Sequence, residues 1–233
     1  MIDSEFRSIG SHLEYVELPS HRVICESHEI FKFAYFPNAG LISIVVVLSN
    51  GKTVEAGLIG KEGIVGLPAI AGCKRSPLRE VVQISGEGFR IRIGVFRSML
   101  ESAPILDGSL KRYASALGLQ VAQTAACNRL HDIDRRLARW LLMALDRVDS
   151  GLLHITQDFL ATMLGTDRSS VSLAAGILQK MGIIKYSRGV VKILDRHQLE
   201  TRACECYRVI QDFNGDHAWS RQLKPSKLSR DRL

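Results

Sequence analysis

The sequence predicts an α+β protein: an N-terminal β-roll, a long central helix and a C-terminal helix-turn-helix followed by a two-stranded wing. Three patterns predict it. Between residues 22 and 93, short runs rich in Val, Ile and aromatic residues are broken by Gly, Pro or Asn about every ten residues, the rhythm of a small all-β unit. After Gly94 the period lengthens, and Leu110, Ala114, Leu117, Val121 and Ala125 recur at steps of four, three, four and four. That narrow stripe suits a long helix that pairs with another helix. Around Gly165, finally, the spacing of small and apolar residues matches a helix-turn-helix corner.

In chain order, the predicted strands cover residues 22–26, 32–36, 41–49, 53–58, 80–85 and 89–93. Asn50-Gly51 marks a tight hairpin. Gly57, Gly60, Gly63 and Gly66, every third residue, read as turns of the roll. A short helix at 95–100 is expected to stop at Pro104, and the long helix to run over 107–128. Residues 135–145, with Leu137, Trp140, Leu141 and Ala144, form an amphipathic helix. Thr156 and Asp167 are N-caps of two further helices separated by Gly165. Relative to that glycine, Ala161 is the small residue four before, Leu160 and Leu164 lie five and one before, and Val171 and Ala174 six and nine after. A small residue lets the helices approach, glycine turns the backbone, and the apolar set closes the corner. Residues 183–186 and 190–194 alternate around Ser187-Arg188-Gly189, a hairpin with Arg188 at its tip.

Composition narrows the partner. The 233 residues are 46% hydrophobic, which excludes a disordered chain, and the apolar run at 41–48 is far short of the roughly 20 residues of a membrane span. The N-terminus, MIDSEFRSIG, is unlike a secretory signal, so a cytoplasmic protein is expected. Five scattered cysteines read as reduced thiols, and Cys204-Glu-Cys206 has the wrong spacing for a zinc knuckle; no metal site is expected. Of the formal charge of +7, residues 1–126 hold 13 Lys+Arg against 12 Asp+Glu, and residues 127–233 hold 18 against 12. The surplus concentrates in 168–202, with seven basic residues against two acidic, the local footprint of phosphate-backbone contact. The predicted DNA-facing set is Thr156, Gln157, Arg168, Ser169, Ser170, Ser172, Leu173, Ser187 and Arg188. Arg can bond guanine bidentately, Ser a base edge or phosphate, and Leu a thymine methyl group.

These residues resemble the Crp/Fnr family of bacterial transcription regulators over almost the whole chain. The carriers are Tyr35-Phe36-Pro37-x-x-Gly40, Gly60-x-Glu62-Gly63-x-Val65-Gly66, Phe96-Arg-Ser-Met-Leu100 and the stretch from Ile155-Thr156 to Val171. The resemblance implies a cyclic-nucleotide-binding-like β-roll sensor (residues 1–104), a dimerisation helix (105–130), a winged helix-turn-helix (131–213) and a basic, disordered tail (214–233). It further implies a homodimer on double-stranded DNA, each recognition helix entering a major groove of a two-fold symmetric operator. RNA polymerase is the further partner, activation or repression the outcome, and Leu110, Ala114, Leu117, Val121 and Ala125 the dimer stripe.

Three departures qualify the resemblance. Where relatives reading the best-known operator have Arg, Glu and Arg, this chain has Arg168, Ser169 and Leu173, so a different operator is expected. Val65-Gly66-Leu67 replaces the Phe-Gly-Glu element of nucleotide binders, so the ribose-binding carboxylate is missing. Gly66, Leu67, Lys74, Arg75, Ser76 and Arg79 remain as the candidate effector pocket, but cyclic nucleotide is not expected there. An iron–sulfur cluster is not expected either, because Cys25 is the lone cysteine near the N-terminus. Two other readings stay open: a ligand-binding or dimerisation module with vestigial DNA binding, and a cupin-type metalloenzyme, for which His21, His28 and Glu29 lack the required spacing.

Overall fold

The computed structural model describes residues 3–148 and 150–216. Helix α1 (Asp3–Gly10) leads into strands β1 (Glu14–Leu18), β2 (Val23–Cys25), β3 (Phe33–Pro37), β4 (Leu41–Val47) and β5 (Thr53–Ile59). A short α2 (Leu67–Ile70) precedes β6 (Arg79–Ile84) and β7 (Gly86–Arg92). Helices α3 (Ile93–Leu100), α4 (Pro104–Leu130) and α5 (Ile133–Leu145) follow. Last come β8 (Leu152–His154), α6 (Gln157–Met163), α7 (Arg168–Lys180), β9 (Ile184–Ser187), β10 (Val190–Ile193), α8 (Arg196–Arg202) and α9 (Cys206–Asp216). The first seven strands form two antiparallel sheets, ordered β1-β7-β3 and β2-β6-β4-β5, that face each other as a roll. A third sheet, β8-β10-β9, belongs to the wing.

The α+β class and the expected order of roll, long helix and winged helix-turn-helix are found, with local corrections. Helix α4 begins at Pro104 rather than at 107, because proline suits the first helical position, where its missing N–H is no loss. Its end is closed by an element that sequence reading passed over: the Glu5 carboxylate of α1 accepts the backbone N–H groups of Ile105 (3.0 Å) and Leu106 (3.1 Å). Strands β1 and β8 were likewise unforeseen. The Asn50-Gly51 hairpin is found as a three-residue loop, with Leu48 N–H bonded to Lys52 C=O and Gly51 at φ +80°. Of the spaced glycines, Gly57 lies within β5, while a Cβ at Gly60 or Gly63 would strike the Arg147 or Tyr113 side chain. Those two still bound a turn, closed by the Gly63 N–H to the Gly60 C=O at 3.0 Å, and also leave clearance for the neighbouring side chains. Helix α9 runs on to Asp216, taking in the first three residues of the expected tail, and residues 217–233 of that tail lie outside the described residues.

The roll and the helical half share one apolar core. Leu41, Val45 and Leu58 of the roll pack in the same cluster as Leu137, Trp140, Leu141, Leu160, Val171 and Leu178. At this seam the Trp140 Nε1–H donates to Glu55 Oε1 at 2.8 Å, and the Ser43 hydroxyl also donates to the Glu55 carboxylate. Burial nevertheless pushes the Glu55 carboxyl up to about 7. The turn at Gly165 abuts the roll as well, with Val54 Cγ2 3.0 Å from where a Cβ would sit. Among the described residues, no helix is long and apolar enough to cross a membrane.

Candidate nucleic-acid interface

Helices α6 and α7 are built by paired start and stop signals. Thr156 Oγ1 accepts the Phe159 N–H at 3.3 Å to open α6, and Asp167 Oδ1 accepts the Ser170 N–H at 2.8 Å to open α7. Both helices end in the double hydrogen bond of a Schellman turn with glycine in the left-handed region. At the first, Gly165 N–H bonds Thr162 C=O and Thr166 N–H bonds Ala161 C=O; at the second, Gly182 N–H bonds Gln179 C=O and Ile183 N–H bonds Leu178 C=O. Arg136 of α5 donates to the Leu164 carbonyl at the end of α6, tying the corner to the helix beneath it.

The corner buries Leu160, Ala161, Leu164, Val171 and Ala174, the five residues whose spacing predicts it. The opposite face of α7 is open. Leu173 is 72% exposed, and Ile177 and Met181 continue the same exposed line at steps of four. Arg168 and Ser172 also face solvent. The Ser169 and Ser170 hydroxyls both donate to the Asp167 carboxylate, so these two serve the cap. Their hydrogen bonds hold the Asp167 carboxyl well below the usual carboxylate range.

The wing is a two-residue hairpin in which Arg188 (φ +49°) and Gly189 (φ +76°) both take the left-handed conformation, as a type I′ turn requires. Its tip is held against the start of α6: Ile155 N–H bonds Gly189 C=O at 2.7 Å, and the Thr156 methyl lies 3.5 Å from where a Gly189 Cβ would sit. Lys185 and Lys192 are exposed and directly paired across β9 and β10. Two like charges facing each other weaken a hairpin, so this pair points to an anionic partner rather than to stability. Of the seven basic residues in 168–202, Arg196 is held by Asp146 (2.7 Å) and Glu200 (2.8 Å), and Arg202 by Asp134 (2.6 Å). Five remain on the surface: Arg168, Lys180, Lys185, Arg188 and Lys192. The alternation of lysine along the wing strands was the signal available for the two that the sequence prediction did not single out.

Arg168 is not unpartnered. Its Nη1 lies 3.4 Å from Asp158 Oδ2 on α6, both side chains about two-thirds exposed. An exposed pair of this kind is worth about 0.2–1 kcal/mol, so it parks the arginine without holding it. Asp158→Asn is therefore expected to tighten DNA binding about twofold to fivefold by releasing Arg168 and removing a carboxylate from the phosphate side. A titration of the variant showing equal or weaker binding would contradict that role.

The effector set is dispersed. Gly66, Leu67 and Ser76 line a cavity of about 550 Å³ between the roll and α4, with Ile44, Leu117 and Glu80 among its other walls. Lys74, Arg75 and Arg79 do not line it: Arg75 donates to the His28 carbonyl at 2.8 Å, and Arg79 pairs with Glu26 at 2.8 Å. The cation at the cavity, Lys111, is paired with Asp107 at 2.6 Å. Burial pushes the Glu80 carboxyl up to about 7, and its Oε2 is buried without a hydrogen-bond partner.

The dimer stripe also splits. Leu110 is buried in the chain's own core, and Leu117 and Val121 lean on β5, each 3.5 Å from where a Gly57 Cβ would sit. Ala114 and Ala125 stay exposed, and the open face of α4 continues through Gly118, Ala122 and Ala126. The free stripe is thus Ala114, Gly118, Ala122, Ala126, stepped by four. It is rotated from the predicted one because the larger apolar residues cover the roll.

Comparisons with known proteins agree with this geometry. Residues 135–202 match the Crp-like helix-turn-helix domain family. The c-di-GMP responsive global regulator CLP of Xanthomonas campestris superposes with a TM-score of 0.67 at 16% identity, covering 82% of this chain and 99% of that one. A CRP-family transcriptional regulator from Thermus thermophilus gives 0.65 at 18% identity, covering 81% and 96%. FixK2 from Bradyrhizobium japonicum gives 0.63 at 18% identity, covering 82% and 98%. At these identities the likeness is one of fold. No curated protein sequence matches the chain.

Proposed function

We propose that this Crp/Fnr-like transcriptional regulator, with its Crp-like helix-turn-helix DNA-binding domain, reads a two-fold symmetric operator as a homodimer, α7 lying in the major groove and the wing on the flanking backbone. The observation that carries this reading is the exposed cationic set Arg168, Lys180, Lys185, Arg188 and Lys192, which includes a like-charged cross-strand pair at the wing. Arg168, at the first turn of α7, makes the base contact. Leu173 touches thymine methyl groups, with Ser172 beside it, and Thr156, Gln157, Ser187 and Arg188 meet phosphate. Ser169 and Ser170 act by holding the Asp167 cap. The open face of α4 around Gly118 pairs the two subunits, and bound regulator meets RNA polymerase. Residues 1–104, 105–130 and 131–213 then act as sensor, dimer helix and DNA reader.

For the sensor, the cavity between roll and α4 suits a compact ligand with an apolar body and a hydrogen-bond donor for Glu80. A cyclic phosphate would meet Glu80 and Asp107 and, as cation, a lysine already paired. An enzyme reading has no support from the roll. Among the described residues, the one group of three or more potential metal ligands lies away from it, at the end of α4.

The test is operator selection from random DNA followed by titration of two variants. Arg168→Ala is expected to lose about 1–3 kcal/mol and to relax preference at one base pair per half-site. Arg188→Gly should weaken all sequences alike and lower the salt slope by about one. Glycine is chosen there because it accepts the positive φ that alanine would resist. Parent-like binding and salt dependence in both variants would overturn the interface.

A further inference from the structure

Four residues from two distant parts of the chain converge where α4 meets α9. Cys127 and His131 stand one turn apart at the end of α4; Cys204, after α8, and Cys206, the first residue of α9, flank Glu205. Their ligand atoms all lie within 4.8 Å of one another, with Cys127 Sγ 3.4 Å from Cys204 Sγ and Cys206 Sγ 3.7 Å from His131 Nδ1. A tetrahedral zinc ion with Zn–S near 2.3 Å and Zn–N near 2.0 Å spaces its ligands by roughly 3.5–3.8 Å. The observed separations have that scale, and all three thiols are buried.

The surroundings complete such a site. Glu205 Oε1 lies 3.1 Å from His131 Nε2 and can accept its N–H, which keeps the proton on Nε2 and leaves Nδ1, the nitrogen facing Cys206, free to bind a metal. Zinc held by three thiolates and a neutral imidazole carries a net charge of −1. Arg139 is buried beside Cys127, and no carboxylate lies within ion-pair distance of it among the described residues. The Nε atoms of Arg139 and Arg136 are buried without hydrogen-bond partners. An anionic centre supplies a counter-charge for these guanidiniums, which no carboxylate contacts directly among the described residues.

We propose that Cys127, His131, Cys204 and Cys206 bind a single zinc ion that clamps the end of the long helix to the last two helices of the DNA-binding unit. Loading releases the thiol protons and leaves the metal four-coordinate with no open position, a structural site rather than a catalytic one. The ligand atoms lie too close together to surround a multi-iron cluster, whose bridging sulfides push the cysteines apart.

The experiment uses the full chain purified under reducing conditions. Elemental analysis is expected to give one zinc per chain, and cobalt(II) added after chelation should give thiolate-to-cobalt charge-transfer and tetrahedral d–d absorption. Cys204→Ser and His131→Ala should lose both signals, while Cys25→Ser and Cys73→Ser keep them. Should the ligand variants fold poorly, thiol alkylation of the parent decides. Cys127, Cys204 and Cys206 are expected to be protected with zinc and modified after chelation. A folded parent that takes up neither metal, a metal-free Cys127–Cys204 disulfide, or iron with equimolar sulfide would each overturn the proposal.

Discussion

Replacing Trp140 with alanine is expected to lower the unfolding free energy by about 3–5 kcal/mol and to loosen the seam between roll and winged helix. The indole is 1% exposed, fills the cluster shared by both halves, and donates its N–H to Glu55. Truncation leaves a cavity and takes one of the two side-chain donors from a buried carboxyl. The roll that meets this seam has a pH signature. Glu55 and Glu80 each titrate near 7 in the fold, above the usual carboxylate value. Between about pH 4.5 and 7 these two carboxyls therefore hold more protons in the folded chain than in the unfolded one, and the stability they contribute falls as pH rises through that window. Glu55→Gln keeps an acceptor for the indole and should flatten part of the slope. Denaturant titrations of the parent and both variants at pH 5 and 7.5 measure these effects. A Trp140→Ala loss below about 1 kcal/mol would mean that the seam contributes little.

The second large effect is expected at Gly118, where glutamate should turn a dimer into a folded monomer and weaken operator binding about 10²–10⁴-fold, by removing the second half-site contact. The position is chosen because it lies on the open face of α4 and a Cβ there meets nothing within 4 Å in the chain itself. A charge at Leu117 or Val121, in contrast, would disturb the packing on β5 and confuse folding with assembly. Light scattering gives the mass directly. A dimer of unchanged mass would remove α4 from the interface.

What the sequence revealed follows the range of the interactions. The helix-turn-helix was legible because caps, glycine turn and apolar corner all lie within residues 156–174, and each obeys a local rule. The same holds for the wing. Strand β1 was not legible because its residues, Glu14–Leu18, are polar on one side and find their partner in β7 about seventy residues later. Helix α1 escaped for a similar reason: its task, capping α4 through Glu5, spans a hundred residues. The dimer face was half legible, since a helical stripe shows that a helix is two-sided but not which side meets the chain's own roll. The cysteine and histidine set carried a weak local signal, Cys and His four apart on a helix, whose meaning depends on Cys204 and Cys206 being folded beside it.

The sheet order β1-β7-β3 has a consequence for how the chain is made. Its central strand is the last of the three to be synthesised, so β1 and β3 leave the ribosome without the strand that joins them. At roughly 5–20 residues per second, the interval between β1 and the end of β7 is on the order of 4–15 s. During that wait the open edge of β3, with Phe33, Tyr35 and Phe36, is the part of the nascent chain most exposed to wrong pairing. The arrival of residues 86–92 pairs the facing edges of β1 and β3 at once.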